Sequence, residues 1–164
     1  MKYTLNDGFL YYIELVGNHN YKNLLQAPDN FELLKSISEE NASTSYATNK
    51  WTIKQIIGHV TDHERIMTYR ALRFSRKDRT PLPGYDQNVF VENANFNNLS
   101  WNAILSDFEN VRKSTISFIN NLSDEQLHLK GIAWKYELTI EEFMKATIGH
   151  ELHHMNIIRE RYLK

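Results

Sequence analysis

The chain has 164 residues, no cysteine and a formal net charge of -1, a length at which one domain (1-164) buries most of its apolar surface unaided. The lack of cysteine excludes disulfides, thiolate metal ligands and cysteine nucleophiles. Acidic and basic residues nearly balance and no compact Lys/Arg block occurs, which argues against a nucleic-acid partner.

Between Met1 and Gly17 the apolar run is interrupted by Asp7 and Glu14. It is too short for a secretory leader or a membrane span, so a cytoplasmic protein with no membrane partner is expected. Helical patches at Phe9–Val16 and Phe31–Ile37 are broken by Pro28 and by Asn and Gly punctuation, which predicts an irregular first helix.

Thr52 and Gln55 form a capping-box pattern with Trp51 and Ile56 in the staple positions, so a second helix is predicted to start at Thr52. The segment Lys77–Leu99 follows it, with Thr80-Pro81-Leu82-Pro83-Gly84 and an Asn-rich stretch. It is too long for a tight helix hairpin and predicts a crossover that lets the second and third helices run parallel. The third helix is predicted from Ser100, with Leu99 and Ile104 as a weaker staple. Its buried face carries Ile104, Leu105, Phe108, Val111, Thr115, Phe118, Ile119 and Leu122. Ile132–Leu138 can form a short extended segment, but no alternation is long enough to demand a sheet, and the expected class is all-α. A last helix is predicted from Thr139, with Glu142 completing the capping box and Leu138 and Phe143 the staple.

The last helix carries His150-Glu151-Leu152-His153-His154. At about 100° and 1.5 Å per residue, His150 and His154 lie roughly 6 Å apart along the axis on nearly the same side, where two imidazoles can grip one ion. A third imidazole from another helix would complete a three-ligand site with an open position. His59, at the edge of the apolar arc of the second helix, is the favoured third ligand, and His63, one turn further on, is its rival. His153 points about 60° away from His150, toward solvent or a partner contact. His19 and His128 lack a matched partner and are assigned no role.

Glu64 and Glu151 both fall inside the apolar arcs of their helices, where an unpaired charge is costly. They are candidate catalytic bases near a metal, Glu151 first and Glu64 second, unless a pair with Arg70 makes them structural. His-Glu-x-x-His also matches the zinc-protease helix signature. Those proteases usually take their third ligand from downstream, and beyond His154 there is no further His and only Glu160 as a carboxylate, so that reading is disfavoured.

Several motifs, in order, resemble the DinB/YfiT-like family from about residue 45 onward. They are Lys50-Trp51-Thr52-Ile53-Lys54, Gly58-His59, Tyr69-Arg70-Ala71-Leu72-Arg73-Phe74, Pro81-Leu82-Pro83-Gly84-Tyr85-Asp86 and Gly149-His150-Glu151-Leu152-His153-His154. The resemblance implies a four-helix bundle of up-down-down-up connectivity with a divalent metal on His59, His150 and His154, and it makes a homodimer the expected assembly. It implies a metal-dependent enzyme acting on a small-molecule substrate, either a hydrolase or an S-transferase using a low-molecular-weight thiol. In the second case Tyr85, Phe90 and Phe96 of the crossover are expected to cover the electrophile. Zinc is the first choice of metal, with nickel or iron as alternatives, since imidazole suits all three. The alternative is a non-catalytic, dimeric small-ligand or stress-response module in which the metal is structural.

Overall fold

The computed structural model describes residues 1–163. The irregular first helix resolves into four short ones: α1 (Phe9–Val16), α2 (Tyr21–Gln26), α3 (Asp29–Lys35) and α4 (Glu39–Ala42). Gly17, at φ +56°, stops α1 in a backbone region that suits glycine. Pro28 stands immediately ahead of α3, where its missing N–H costs nothing.

Three long helices follow. In α5 (Ile53–Ser75) the Thr52 hydroxyl accepts from the Gln55 N–H while the Gln55 side chain accepts from the Thr52 N–H. The same reciprocal cap between Thr139 and Glu142 opens α9 (Ile140–Arg161), and Ser100 caps α7 (Trp101–Asn120), whose first N–H donates to Glu39. Each helix therefore begins where its orphan N–H groups find a side-chain acceptor. Between α5 and α7 the long connection contains only α6 (Gln87–Asn93) and a short 3-10 turn at Phe96–Asn98.

Between α8 (Asp124–Leu127) and α9 the class departs from purely helical. Lys130–Ala133 (β1) and Tyr136–Thr139 (β2) pair antiparallel, Lys130 opposite Thr139 and Ala133 opposite Tyr136. The alternation spans only four residues per strand, too few to register in the sequence pattern, and Trp134 takes a φ of +55° in the turn between them.

Cross-helix partners define the directions. Lys54 meets Leu99, Arg65 meets Asp107 and Thr68 meets Thr115, so α5 and α7 advance together. Phe74 meets Phe143 and His59 meets His150 and His154, so α9 runs against α5. Phe9 meets Phe143 and Tyr12 meets His150, so α1 advances with α9. Among the described residues no helix is long and apolar enough to cross a membrane.

The core is divided. One apolar cluster takes Met67, Ala71 and Phe74 from α5 with Phe143, Met144 and Ile148 from α9. The other takes Ile53, Ile56 and Val60 from α5 with Met155 and Ile158 from α9 and Trp101, Ile104 and Phe108 from α7. Where these clusters meet along α5 and α9 lie His59, His63, Glu64, His150 and Glu151, all buried, with Arg112 of α7 beside them. A polar layer thus crosses the middle of the bundle, held on both sides by close packing.

Gly149 sets how closely α1 approaches that layer. A Cβ on it would lie 1.9 Å from the Tyr12 carbonyl oxygen, a backbone atom with no freedom to yield. The small face of α9 therefore packs on α1 of its own chain. Gly149→Ala is expected to cost about 3 kcal/mol by forcing α1 off α9, read as a fall in the urea midpoint; a change within error would mean that α1 is free to shift.

Candidate metal centre

Because His59 sits on α5 and His150 and His154 lie one turn apart on the antiparallel α9, the three rings meet in the middle of the bundle. His59 Nε2 is 3.0 Å from His150 Nε2, and His154 Nε2 is 3.1 Å from His150 Nε2. The three residues form a group whose ligand atoms all lie within 4.8 Å of one another. A tetrahedral ion with bonds of about 2.0–2.1 Å holds its nitrogen ligands roughly 3.3 Å apart, close to the two separations from His150 Nε2. Nitrogen chemistry agrees: His150 Nε2 faces two other ring nitrogens, and its Nδ1 is buried without a partner, so protons alone satisfy this cluster poorly.

His63 lies outside the group. Its ring stacks on His150, centroids 3.9 Å apart at 30°, and its Nδ1 is 2.6 Å from the Tyr85 hydroxyl. His153 is only partly buried, its Nδ1 3.1 Å from the Tyr11 hydroxyl of α1. His19 and His128 are exposed.

Burial keeps the imidazoles of His59, His63, His150 and His154 neutral, the form that ligates metal. Desolvation lowers His59 to about 4. It lowers His63 to about 3, helped by His59 and Arg70. His150 and His154 are pushed well down, by desolvation first and then by neighbouring imidazoles. For the metal-free protein the sign of the pH dependence follows. The unfolded chain takes up protons near its ordinary pKa of about 6.5 while the folded chain refuses them, so stability is lost as the pH falls from about 6.5 toward 4. At about pH 5 the expected loss is on the order of 2 kcal/mol from His59 alone. Urea midpoints of chelator-treated protein that do not fall between about pH 7 and 5 would contradict it.

The two buried carboxylates have a different partner from the one expected. Arg112 of α7 donates from Nε to Glu64 at 3.1 and 3.2 Å and from Nη2 to Glu64 at 2.8 Å, and its Nη2 also pairs with Glu151. Its Nη1 reaches the Leu25 carbonyl oxygen at 3.3 Å, and Asn30 Nδ2 donates to the other oxygen of Glu151 at 2.6 Å. Burial opposes the charge on Arg112, yet Glu151 and Glu64 hold it firmly protonated. Arg70 instead donates to the Pro83 carbonyl oxygen. The signal for Arg112 was present in the sequence. It follows Phe108 by four residues and precedes Thr115 by three, on the buried face of α7, where a lone cation requires an anion.

Beside the imidazoles opens a cavity of about 370 Å³, lined by Phe9, Tyr12, His63, Arg70, Tyr85 and His150 among others. Of the three aromatics expected as a cover, only Tyr85 lines it. Phe90 leans on Tyr85 with ring centroids 5.0 Å apart, while Phe96 packs into the core over Gly58, where a Cβ would meet its ring at 2.5 Å. Trp134, from the hairpin turn, also lines the cavity, which short-range pattern could not foretell.

The family model described as the DinB superfamily matches residues 23–158. The chain belongs to the DinB superfamily. Within reach of this DinB chain is a protein of Oceanobacillus iheyensis named as a candidate metal-dependent hydrolase, 25% identical over 130 residues, covering 78% of this chain and 74% of the relative. YfiT from Bacillus subtilis, described as a candidate metal-dependent hydrolase with an unusual four-helix bundle topology, superposes with a TM-score of 0.73 at 16% identity, over 98% of this chain and 89% of that one. A mycothiol-dependent maleylpyruvate isomerase superposes with a TM-score of 0.66 at 13% identity, over 93% of this chain and 62% of that one. Both structural likenesses establish the bundle fold of this DinB chain.

Proposed function

We propose that this DinB protein is a divalent-metal-dependent enzyme whose ion is held by His59, His150 and His154, with zinc as the first choice. The observation that carries the reading is the convergence of three neutral ring nitrogens from two antiparallel helices, next to a cavity large enough for a small substrate. Three imidazoles leave an ion its full double positive charge and an open position, which supplies Lewis acidity toward a water, a thiol or a substrate oxygen. Hydrolysis is favoured by the names of the relatives, and transfer involving a low-molecular-weight thiol by the likeness to the mycothiol-dependent isomerase. The pairwise helix directions support the up-down-down-up order with a crossover between α5 and α7.

For Glu151 and Glu64 the shared pair with Arg112 favours a positioning role over that of the base. Glu151 directly follows His150, so fixing its carboxylate to Arg112 and Asn30 fixes the turn of α9 from which His150 projects. The deciding experiment is a panel of esters, amides and thiol-acceptor electrophiles, assayed with zinc-loaded and with chelator-treated protein. Activity restored by the ion is the expected result, and equal turnover in both preparations would end the reading. On any substrate so found, Glu151→Gln is expected to keep its metal and lose less than about tenfold in kcat with an unchanged pH profile. A loss of about a hundredfold or more, with the acidic limb of the profile gone, would make Glu151 the base instead.

A further inference from the structure

Among the described residues every other buried cation, leaving the histidines aside, has an anionic partner. Arg112 is held between Glu64 and Glu151, and Lys54 is paired with Glu39. Arg70 is the exception. It is only 6% exposed, yet among the described residues no carboxylate pairs with it. Its Nη2 donates to the Pro83 carbonyl oxygen at 2.6 Å, and its Nη1 has only the Met67 sulfur, 3.9 Å away. A guanidinium carries five N–H donors, so most of its capacity is unspent. Burying such a group without an anion is costly.

That unspent capacity borders the cavity. Arg70 lines it together with His63 and His150, and His63 Nε2 is buried there without a hydrogen-bond partner. Phe9, Tyr12, Tyr85 and Trp134 supply apolar wall. At about 370 Å³ the space suits a small molecule.

We infer that the cavity binds a small organic carboxylate, its anionic group on the Arg70 guanidinium and its apolar body against the aromatic wall, beside the imidazoles. The inference deepens the proposed function by naming the substrate class, and it rests on that function only for the reaction that follows binding. Arg70 selects the anion by a charge-assisted, two-pronged hydrogen bond that a neutral isostere cannot form. Tyr85, tethered to His63, and Pro83, tethered to Arg70, bring the long α5–α7 connection over the cavity, so the same segment orients the guanidinium and walls the site.

The test uses phenylacetate and its neutral isostere phenylacetamide, titrated calorimetrically into chelator-treated and zinc-loaded protein, wild type and Arg70→Gln. Chelated wild type is expected to prefer phenylacetate at least about tenfold, and Arg70→Gln to reduce the preference below about threefold while circular dichroism stays unchanged. Should that variant fail to fold, the Arg70 side-chain N–H resonances of wild type, assigned by their loss in Arg70→Lys, must still shift on adding phenylacetate and not phenylacetamide. Equal affinity for the two probes, a preference that survives Arg70→Gln, unmoved Arg70 resonances, or anion binding that needs zinc would each overturn the inference. Failure of zinc to bind, with the Arg70-dependent preference intact, would overturn the metal reading and leave this one standing.

Discussion

Arg112→Ala is expected to lower the free energy of unfolding by about 4 kcal/mol, because it leaves Glu64 and Glu151 buried against each other with no counter-charge. Both carboxylates are almost fully enclosed, so solvent cannot take over the role of the guanidinium. The Leu25 carbonyl oxygen loses its donor in the same change. Replacing all three residues by methionine is expected to recover most of that loss, since removal of a whole buried ionic cluster is far cheaper than removal of one member. Urea unfolding of the two variants gives the comparison. An Arg112→Ala protein within about 1 kcal/mol of wild type would show that the three groups are not a coupled unit.

Elemental analysis of tag-free protein, purified without a nickel column, is expected to find about one divalent ion per chain. His59→Ala and His150→Ala are expected to lose it, and His63→Ala to keep it, because His63 is turned toward Tyr85 and stacked on His150 rather than joined to the group. Loaded protein should also melt higher than chelated protein, by an increment that grows with free metal, since an ion bound only by the folded state stabilises it by mass action. Loss of the ion from His63→Ala, with retention in His59→Ala, would exchange the two histidines' roles. No ion in any preparation, even after reconstitution, would favour a non-catalytic ligand-binding module.

Much of this arrangement was legible without coordinates, wherever the deciding interaction is local. Thr52 with Gln55 and Thr139 with Glu142 are caps closed within one turn, so the starts of α5 and α9 follow from sequence alone. The i, i+4 spacing of His150 and His154 likewise follows from helix geometry alone. The choice of His59 over His63 as the third member did not: both lie on one face of α5, and only the height at which α9 crosses α5 decides which ring meets His150 and which stacks on it.

The partner of the buried carboxylates was decided the same way. The wheel of α5 offered Arg70 by proximity along its own helix, but α7 lies alongside α5 and brings Arg112 between Glu64 and Glu151. Arg70 was thereby left without an anion at the edge of a cavity whose walls come from α1, α5, the α5–α7 connection, the hairpin and α9. Periodicity, capping and charge balance act within a few residues, so the sequence by itself determined the long helices, the paired histidines and the burial of two acids. Contacts between segments far apart in the chain depend on how whole helices pack, and only that packing decided the third imidazole, the buried ion cluster and the shape of the site.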